Sequence, residues 1–146
     1  MKVKYILAIL ALTAIPASAQ NIEGLITALV KTESNGNAAA IGDRGKALGI
    51  LQIHKVMVDD FNRITGKSYK HSDMFDKAKS LETARTVLSF YSKYIETTTG
   101  RKATQKELAF VWNGGGSSWR RVASSQSDTK QKNLETYWNK VHKNLN

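Results

Sequence analysis

The sequence predicts a mainly α-helical single domain with at most a small β element. Apolar residues recur at helical spacing in several stretches, and no stretch shows the strict alternation typical of long strands. A length of 146 residues suits one domain. The chain has no cysteine, which excludes disulfides, thiol catalysis and cysteine-based metal sites.

The N-terminal segment has the features of a secretory signal peptide. Lys2 and Lys4 give it a basic start, and the apolar run from Tyr5 to Ile15 is too short to span a bilayer. The small residues Ala17-Ser18-Ala19 then form a cleavage site. We therefore expect residues 1–19 to be removed from an exported protein that is periplasmic or secreted. The remaining domain, residues 20–146, has no further candidate for a transmembrane segment.

The charge indicates a class of partner. The formal net charge is +10 at pH 7, and such a surface attracts polyanions. For an exported protein we expect cell-wall polymers or lipid headgroups rather than nucleic acid, and a role in solubility alone is the alternative. His54, His71 and His142 are scattered without metal-ligand spacing, so we expect neither a metal nor another cofactor. The oligomeric state is not indicated.

The first helix is predicted from about Asn21 to Thr32. Apolar residues follow the pattern of one helix face, at Ile22, Leu25, Ile26, Leu29 and Val30. At about 100° per residue, Glu33 points only about 20° from the direction of Ile22. Glu33 therefore continues the buried stripe, and Gly36 is a natural residue to end the helix.

The next segments are shorter. Residues 37–46 form a predicted loop with a turn at Gly42–Gly45, and Ala47–Ile53 is either a strand or a tight buried helical turn. A second helix is expected over Val56–Ile64. It should end near Gly66.

Capping residues place the remaining helices. Ser80 is a candidate N-cap for a helix that closes at Gly100. Thr104 and Glu107 have the spacing of a capping box, and Asp128 begins the last helix. Between these two helices, Gly114-Gly115-Gly116 indicates a close approach of the backbone to another group, or a very tight turn.

Glu33 is the strongest candidate for chemistry. A carboxylate on an apolar stripe loses solvation, which raises its pKa and keeps it protonated near neutral pH. Such a group can donate a proton to a leaving oxygen. The alternative is a glutamate at a helix end that turns out to solvent, and spacing alone favours neither.

Four segments of the chain follow one another in a recognisable order: Glu33-Ser34, Gly45-Lys46-Ala47-Leu48-Gly49-Ile50-Leu51-Gln52, the stretch from Phe75 to Tyr91, and Glu107-Leu108-Ala109-Phe110-Val111-Trp112-Asn113-Gly114-Gly115. In this order they resemble the lysozyme-like lytic transglycosylases of the SLT type. Together they cover nearly all of residues 20–146. The resemblance implies a lysozyme-like (α+β) catalytic domain that acts on peptidoglycan glycan strands.

The resemblance also implies roles for individual residues. Glu33 would be the general acid and base that cleaves the β-1,4 bond between N-acetylmuramic acid and N-acetylglucosamine and leaves a 1,6-anhydro product. Ser34 and Gln52 would orient Glu33 or bind sugar groups, and Trp112 and Asn113 would bind substrate. Trp112 stands where the family usually has tyrosine, and an indole can only donate a hydrogen bond from its nitrogen.

Asp43 is a second candidate carboxylate. The segment from Asp43 to Ile53 resembles invertebrate-type lysozymes, whose second catalytic carboxylate precedes a similar Gly-x-x-Gln-Ile stretch. A hydrolytic lysozyme, or muramidase, that uses Glu33 and Asp43 is therefore the alternative, because many glycosidases use two carboxylates. Asp43 is also an ordinary turn residue. A non-catalytic cell-wall-binding protein on the same fold is the alternative of another class.

Overall fold

The structure is a computed structural model that describes residues 17–145, with side chains from residue 21 onwards. Most of the predicted signal peptide lies outside the described residues. The first helix already begins at Ala17, so the expected cleavage site after Ala19 falls within it. Removal of residues 1–19, and the export that would follow from it, stay predictions. None of the described helices is both long and apolar enough to cross a membrane.

Five α-helices and a three-stranded sheet make up one domain. The helices are α1 (Ala17–Ser34), α2 (Lys55–Thr65), α3 (Lys77–Thr99), α4 (Gln105–Gly114) and α5 (Thr129–Lys143), and the strands are β1 (Ile41–Gly42), β2 (Ala47–Leu48) and β3 (Ile53–His54). Short 3-10 helices occupy Asp43–Gly45, His71–Phe75 and Ser118–Ala123. This is the mainly α architecture with a small β element that the sequence predicts, and it is consistent with the lysozyme-like fold.

The apolar stripe of α1 lies at the centre of the core. Leu25 and Leu29 have no exposed surface, and α1 packs against α3, α4 and α5. Glu23, a quarter-turn from the stripe, is half exposed and pairs with Arg85 of α3. The helical phase thus separates the two glutamates of α1, and Glu33 continues the buried stripe as predicted.

The sequence left open whether Ala47–Ile53 is a strand or a tight buried turn, and the sheet decides this. This stretch is both strand and turn, because β2 and β3 are two residues each and the tight turn 49–52 joins them. The three strands are antiparallel in the order β1-β2-β3, with Gly42 opposite Ala47 and Ala47 opposite His54. The register therefore brings residues from three separate segments side by side.

Of the three predicted helix starts, two are confirmed and one is wrong. Thr104 accepts a hydrogen bond from the Glu107 backbone N–H at 3.2 Å, and the Glu107 carboxylate accepts from the Thr104 N–H at 2.8 Å. Asp128 caps α5 as expected. Ser80 is not an N-cap, because α3 begins earlier, at Lys77, where the carboxylate of Asp76 accepts from the Lys79 N–H at 3.0 Å. Ser80 is instead fully buried.

Gly49, in the turn between β2 and β3, is held against the main chain of a neighbouring segment. Its φ is +75°, and a side-chain carbon at this position would overlap the carbonyl oxygen of Met74. Gly45 has a similar φ of +88°, but a side-chain carbon there would meet nothing within 4 Å. Substituting Gly45 therefore measures the cost of a left-handed backbone alone, and substituting Gly49 measures that cost together with the cost of the close approach.

We expect Gly49→Ala to destabilise the fold more than Gly45→Ala does. Each substitution costs about 1–2 kcal/mol for placing a β-carbon in the left-handed region. Gly49→Ala costs roughly 1–3 kcal/mol more, since the Met74 backbone must move. Urea denaturation of both variants measures the difference. Equal free energies of unfolding would contradict the close approach.

Candidate active site

The carboxylate of Glu33 lies at the end of α1, partly buried between α4 and α5. The Tyr137 hydroxyl on α5 donates a hydrogen bond to Glu33 Oε1 at 2.5 Å. The side chain of Trp112, in the last turn of α4, also lies near the carboxylate and favours its charged form. Glu33 therefore does not turn out to solvent, and a donor from α5 holds its carboxylate in place.

Burial raises the pKa of Glu33 above its usual value. The hydrogen bond from Tyr137, the side chain of Trp112 and the positive charge of Lys140 act in the opposite direction, because they favour the charged form, but burial outweighs them. The pKa of Tyr137 is itself raised well above 10, first by burial and then by the nearby Glu33 charge. Tyr137 therefore keeps its proton and stays a donor at neutral pH.

A cavity of about 290 Å³ opens in front of Glu33. Its lining contains five of the six site residues predicted from the sequence, together with two others: Glu33, Asp43, Ala47, Gln52, His54, Trp112 and Asn113. A second hollow of about 310 Å³ shares Gln52, His54, Trp112 and Asn113 and extends along α2 to the glycines after α4. The two hollows form one cleft, with Glu33 at one end of it.

Ser34, the sixth predicted residue, does not line either hollow. Its hydroxyl donates a hydrogen bond to the Ile50 carbonyl at 2.8 Å, which ties the end of α1 to the turn after β2. Gln52 has a comparable structural bond, since its Nε2 donates to the Gly49 carbonyl at 2.9 Å. Gln52 nevertheless lines both hollows, so one residue closes the β2–β3 turn and also forms a wall of the cleft.

Asp43 reaches the cleft through a strained turn. Asp43, Arg44 and Gly45 have φ values of +46°, +55° and +88°, and residues other than glycine rarely adopt this region. Asp43 Oδ2 lies 3.5 Å from His54 Nε2, and both side chains are about half exposed. Strain of this kind is typical of functional sites. The turn thus places the carboxylate of Asp43 beside the imidazole of His54 in β3, on the lining that Glu33 shares.

Two of the three glycines at the end of α4, Gly114 and Gly116, pack against side chains of the domain itself. A side-chain carbon on Gly114 would lie 2.5 Å from Ser118 Oγ and 2.8 Å from Leu134 Cδ2, and one on Gly116 would overlap the ring and hydroxyl of Tyr91. Both expectations for this segment, close approach and tight turn, are therefore correct. The glycines hold Trp112 and Asn113 at the rim of the cleft by allowing the chain to turn close to α3 and α5.

The sequence interpretation missed two residues of the site, Tyr137 and His54. Tyr137 lies on the apolar face of the last helix with Leu134 and Val141, and its helical spacing is that of a core residue. A tyrosine on such a face needs a hydrogen-bond partner for its hydroxyl, and this need could have indicated that Tyr137 meets a polar group. His54 was considered only as a metal ligand. Within residues 17–145 no three His, Asp or Glu side chains form a group that could hold a metal ion.

The family model described as "Transglycosylase SLT domain" matches residues 14–135. The chain belongs to this family. The match contains all six predicted site residues and ends two residues before Tyr137. SLT domains act on peptidoglycan, which is therefore the substrate class, and the type of activity is that of a lytic transglycosylase. A search of curated proteins finds no match to the chain.

We expect Tyr137→Phe to raise the pKa of Glu33 further. The variant removes a donor that favours the charged carboxylate, while the phenyl ring preserves the packing of α1 against α5. An NMR titration of the Glu33 side-chain carboxyl carbon measures the shift. Tyr94→Phe is the matched control, because Tyr94 lies exposed on α3. A Glu33 pKa that is unchanged or lower in Tyr137→Phe would contradict the assignment.

Proposed function

We propose that the chain is a lytic transglycosylase that cleaves the β-1,4 bond between N-acetylmuramic acid and N-acetylglucosamine, with Glu33 as general acid and then base. The observation that carries this proposal is the Glu33 carboxyl group, whose pKa is raised by burial and which Tyr137 holds on the lining of a cleft. Membership of the SLT family supports the substrate and the type of reaction.

The reaction proceeds in two proton transfers. Protonated Glu33 gives its proton to the glycosidic oxygen as the bond from this oxygen to the anomeric carbon of N-acetylmuramic acid breaks. The resulting carboxylate then takes the proton of the 6-hydroxyl of the same sugar while that oxygen bonds to the anomeric carbon. One C–O bond is broken and one is formed, no water is consumed, and Glu33 ends in its starting protonation state.

The hydrogen bond from Tyr137 selects the oxygen that carries the proton. Because Tyr137 donates to Oε1, the acidic proton of neutral Glu33 sits on Oε2. Trp112 assists without needing to accept a hydrogen bond, so the departure from the tyrosine usual at this position is compatible with the mechanism. Gln52 and Asn113 provide amide groups along the cleft that suit the hydroxyl and acetamido groups of the strand.

We expect Glu33→Gln to lower the release of products from purified peptidoglycan by about 100- to 10,000-fold, since the amide cannot transfer the proton. Mass analysis of the muropeptides released measures the effect, and those from the wild type should carry 1,6-anhydro ends. Glu23→Gln, on the exposed side of the same helix, is the control and should retain activity. If the wild type releases no more than Glu33→Gln, the chain is a non-catalytic wall-binding protein.

The pH dependence of kcat/KM should have its basic limb at the raised pKa of Glu33. The acid form is the active one at the first step, so activity falls as pH rises through that pKa. Because a raised pKa moves the fall upward, the enzyme stays active above the pH at which an ordinary glutamate ionises. In Tyr137→Phe the basic limb should move to still higher pH.

Hydrolysis is the second candidate reaction, and one observation favours it. Asp43 lines the same cavity as Glu33 and lies beside His54, so a second carboxylate is available to act as a nucleophile or to activate water. In a hydrolytic lysozyme the released end would be a reducing sugar that has gained the elements of water.

The product and Asp43→Asn together distinguish the two reactions. If the products are 1,6-anhydro sugars, Asp43→Asn should retain activity within about threefold, since the 6-hydroxyl replaces the external nucleophile. If they are reducing sugars, the variant should lose about 100-fold or more. Asp59→Asn, at an exposed position of α2, controls for the loss of one negative charge. Reducing products together with full activity of Asp43→Asn would remove Asp43 from the mechanism.

A further inference from the structure

A third hollow, of about 370 Å³, lies beyond the glycine turn. Its walls come from three parts of the chain: the middle of α3, the segment after α4 and the 3-10 helix Ser118–Ala123. The lining residues are Phe90, Tyr91, Tyr94, Gly116, Ser117 and Arg120. We refer to this hollow as the aromatic groove. Glu33 and the other residues of the catalytic cavity do not line it.

The floor of the aromatic groove exposes apolar surface. Phe90 and Tyr94 keep 37% and 43% of their surface exposed, which places them among the few large hydrophobic side chains on the surface of residues 21–145. Tyr91 lies between them and holds both rings edge-to-face, with centroids at 5.3 Å and 6.5 Å. Grouped, immobilised aromatic rings in a hollow are typical of a binding surface.

The rim of the aromatic groove carries a positive charge. The guanidinium of Arg120 stacks over the ring of Trp119 at 4.6 Å, which fixes its position, and it forms no ion pair with any described residue. The guanidinium of Arg63 lies 5.5 Å from the centroid of the Phe90 ring, but it pairs with Asp60 at 3.0 Å. Asp60, which lies 3.4 Å from the Tyr91 hydroxyl, is thus already neutralised. Arg120 remains available to bind an anion.

The aromatic groove adjoins the catalytic cleft through consecutive residues. Gly114 and Gly115 line the second hollow of the cleft, and Gly116 and Ser117 line the groove. The Tyr91 hydroxyl packs so closely on Gly116 that no side chain fits between them. A side branch of a polymer bound in the cleft would therefore reach the aromatic groove by crossing the glycine turn, where Gly116 has no side chain.

We propose that the aromatic groove binds the anionic peptide stem of the peptidoglycan strand held at Glu33. The stem branches sideways from the lactyl group of N-acetylmuramic acid, and it carries carboxylates that suit Arg120 and aliphatic carbons that suit Phe90 and Tyr94. The free positive charge selects this occupant over the neutral sugars of the strand. The proposal rests on the proposed function, since it takes peptidoglycan as the substrate.

Kinetics on two forms of one substrate test the proposal. The first form is glycan strands with their stems, and the second is the same strands after an amidase has removed the stems. Arg120→Gln should raise KM roughly fivefold on strands with stems, as expected for loss of one exposed charge pair, and leave kcat unchanged. It should leave both constants unchanged on stem-free strands. Tyr94→Ala should act in the same direction.

Lys132→Gln is the matched control, because it removes one positive charge from an exposed position of α5 that does not line the groove. Lys132→Gln should change KM little, and by the same factor on strands with stems and on stem-free strands. The proposal is overturned if Arg120→Gln raises KM equally on both substrates, or if the wild type does not distinguish them. Thermal melting of each variant shows whether the fold is retained.

A binding measurement separates this proposal from the proposed function. Free acidic stem peptide is titrated into the wild type and into Glu33→Gln, and backbone NMR shifts are followed. Shifts confined to residues around Phe90, Tyr94 and Arg120, absent in Arg120→Gln and with a carboxyl-amidated peptide, support the groove whether or not the chain cleaves glycan. Absence of these shifts overturns the groove, while release of 1,6-anhydro products would still support the cleavage reaction.

Discussion

The burial of one carboxylate, Glu33, is the constraint on which the active site depends. Removing a carboxylate from water is unfavourable, and the domain compensates with the Tyr137 donor from α5 and with Trp112 and Lys140 nearby, which also favour the charged form. The bond from Tyr137 joins residues 104 positions apart in sequence, so it forms only when α5 packs on α1. The same burial that weakens the acidity of Glu33 suits it to the proton transfer that we propose for it, so packing and the proposed chemistry are linked at this one group.

A second constraint is the backbone of the small sheet. Its strands are only two residues long, and the turns between them place Asp43, Arg44 and Gln52 in the left-handed region. Such strain persists only where the surrounding structure enforces it. The bond from Ser34 to Ile50 and the contact of Gly49 with Met74 supply this enforcement. The sheet therefore serves as a support that places Asp43 and His54 on the cavity lining that Glu33 shares.

The sequence predicted the features that depend on neighbours along the chain. The stripe of α1, the capping box of Thr104 and Glu107 and the start of α5 at Asp128 follow from helical phase and local hydrogen bonds, and the structure confirms them. The prediction of Ser80 as N-cap was wrong because Asp76, four residues earlier, is also a residue type that caps helices. Capping propensity alone does not rank Asp76 above Ser80. Ala47–Ile53 was ambiguous because periodicity cannot separate a strand from a buried turn over so few residues.

The sequence by itself determined the helical class, the buried phase of Glu33 and the ordered motifs of the SLT family. Only the tertiary structure decided what surrounds Glu33. Tyr137 has the spacing of a core residue, and nothing in α5 indicates that its hydroxyl meets a carboxylate at the end of α1. His54 likewise gains its place beside Asp43 only through the register of β2 and β3. Periodicity specifies which face of an element is buried, whereas the partner on that face is set by how the elements pack.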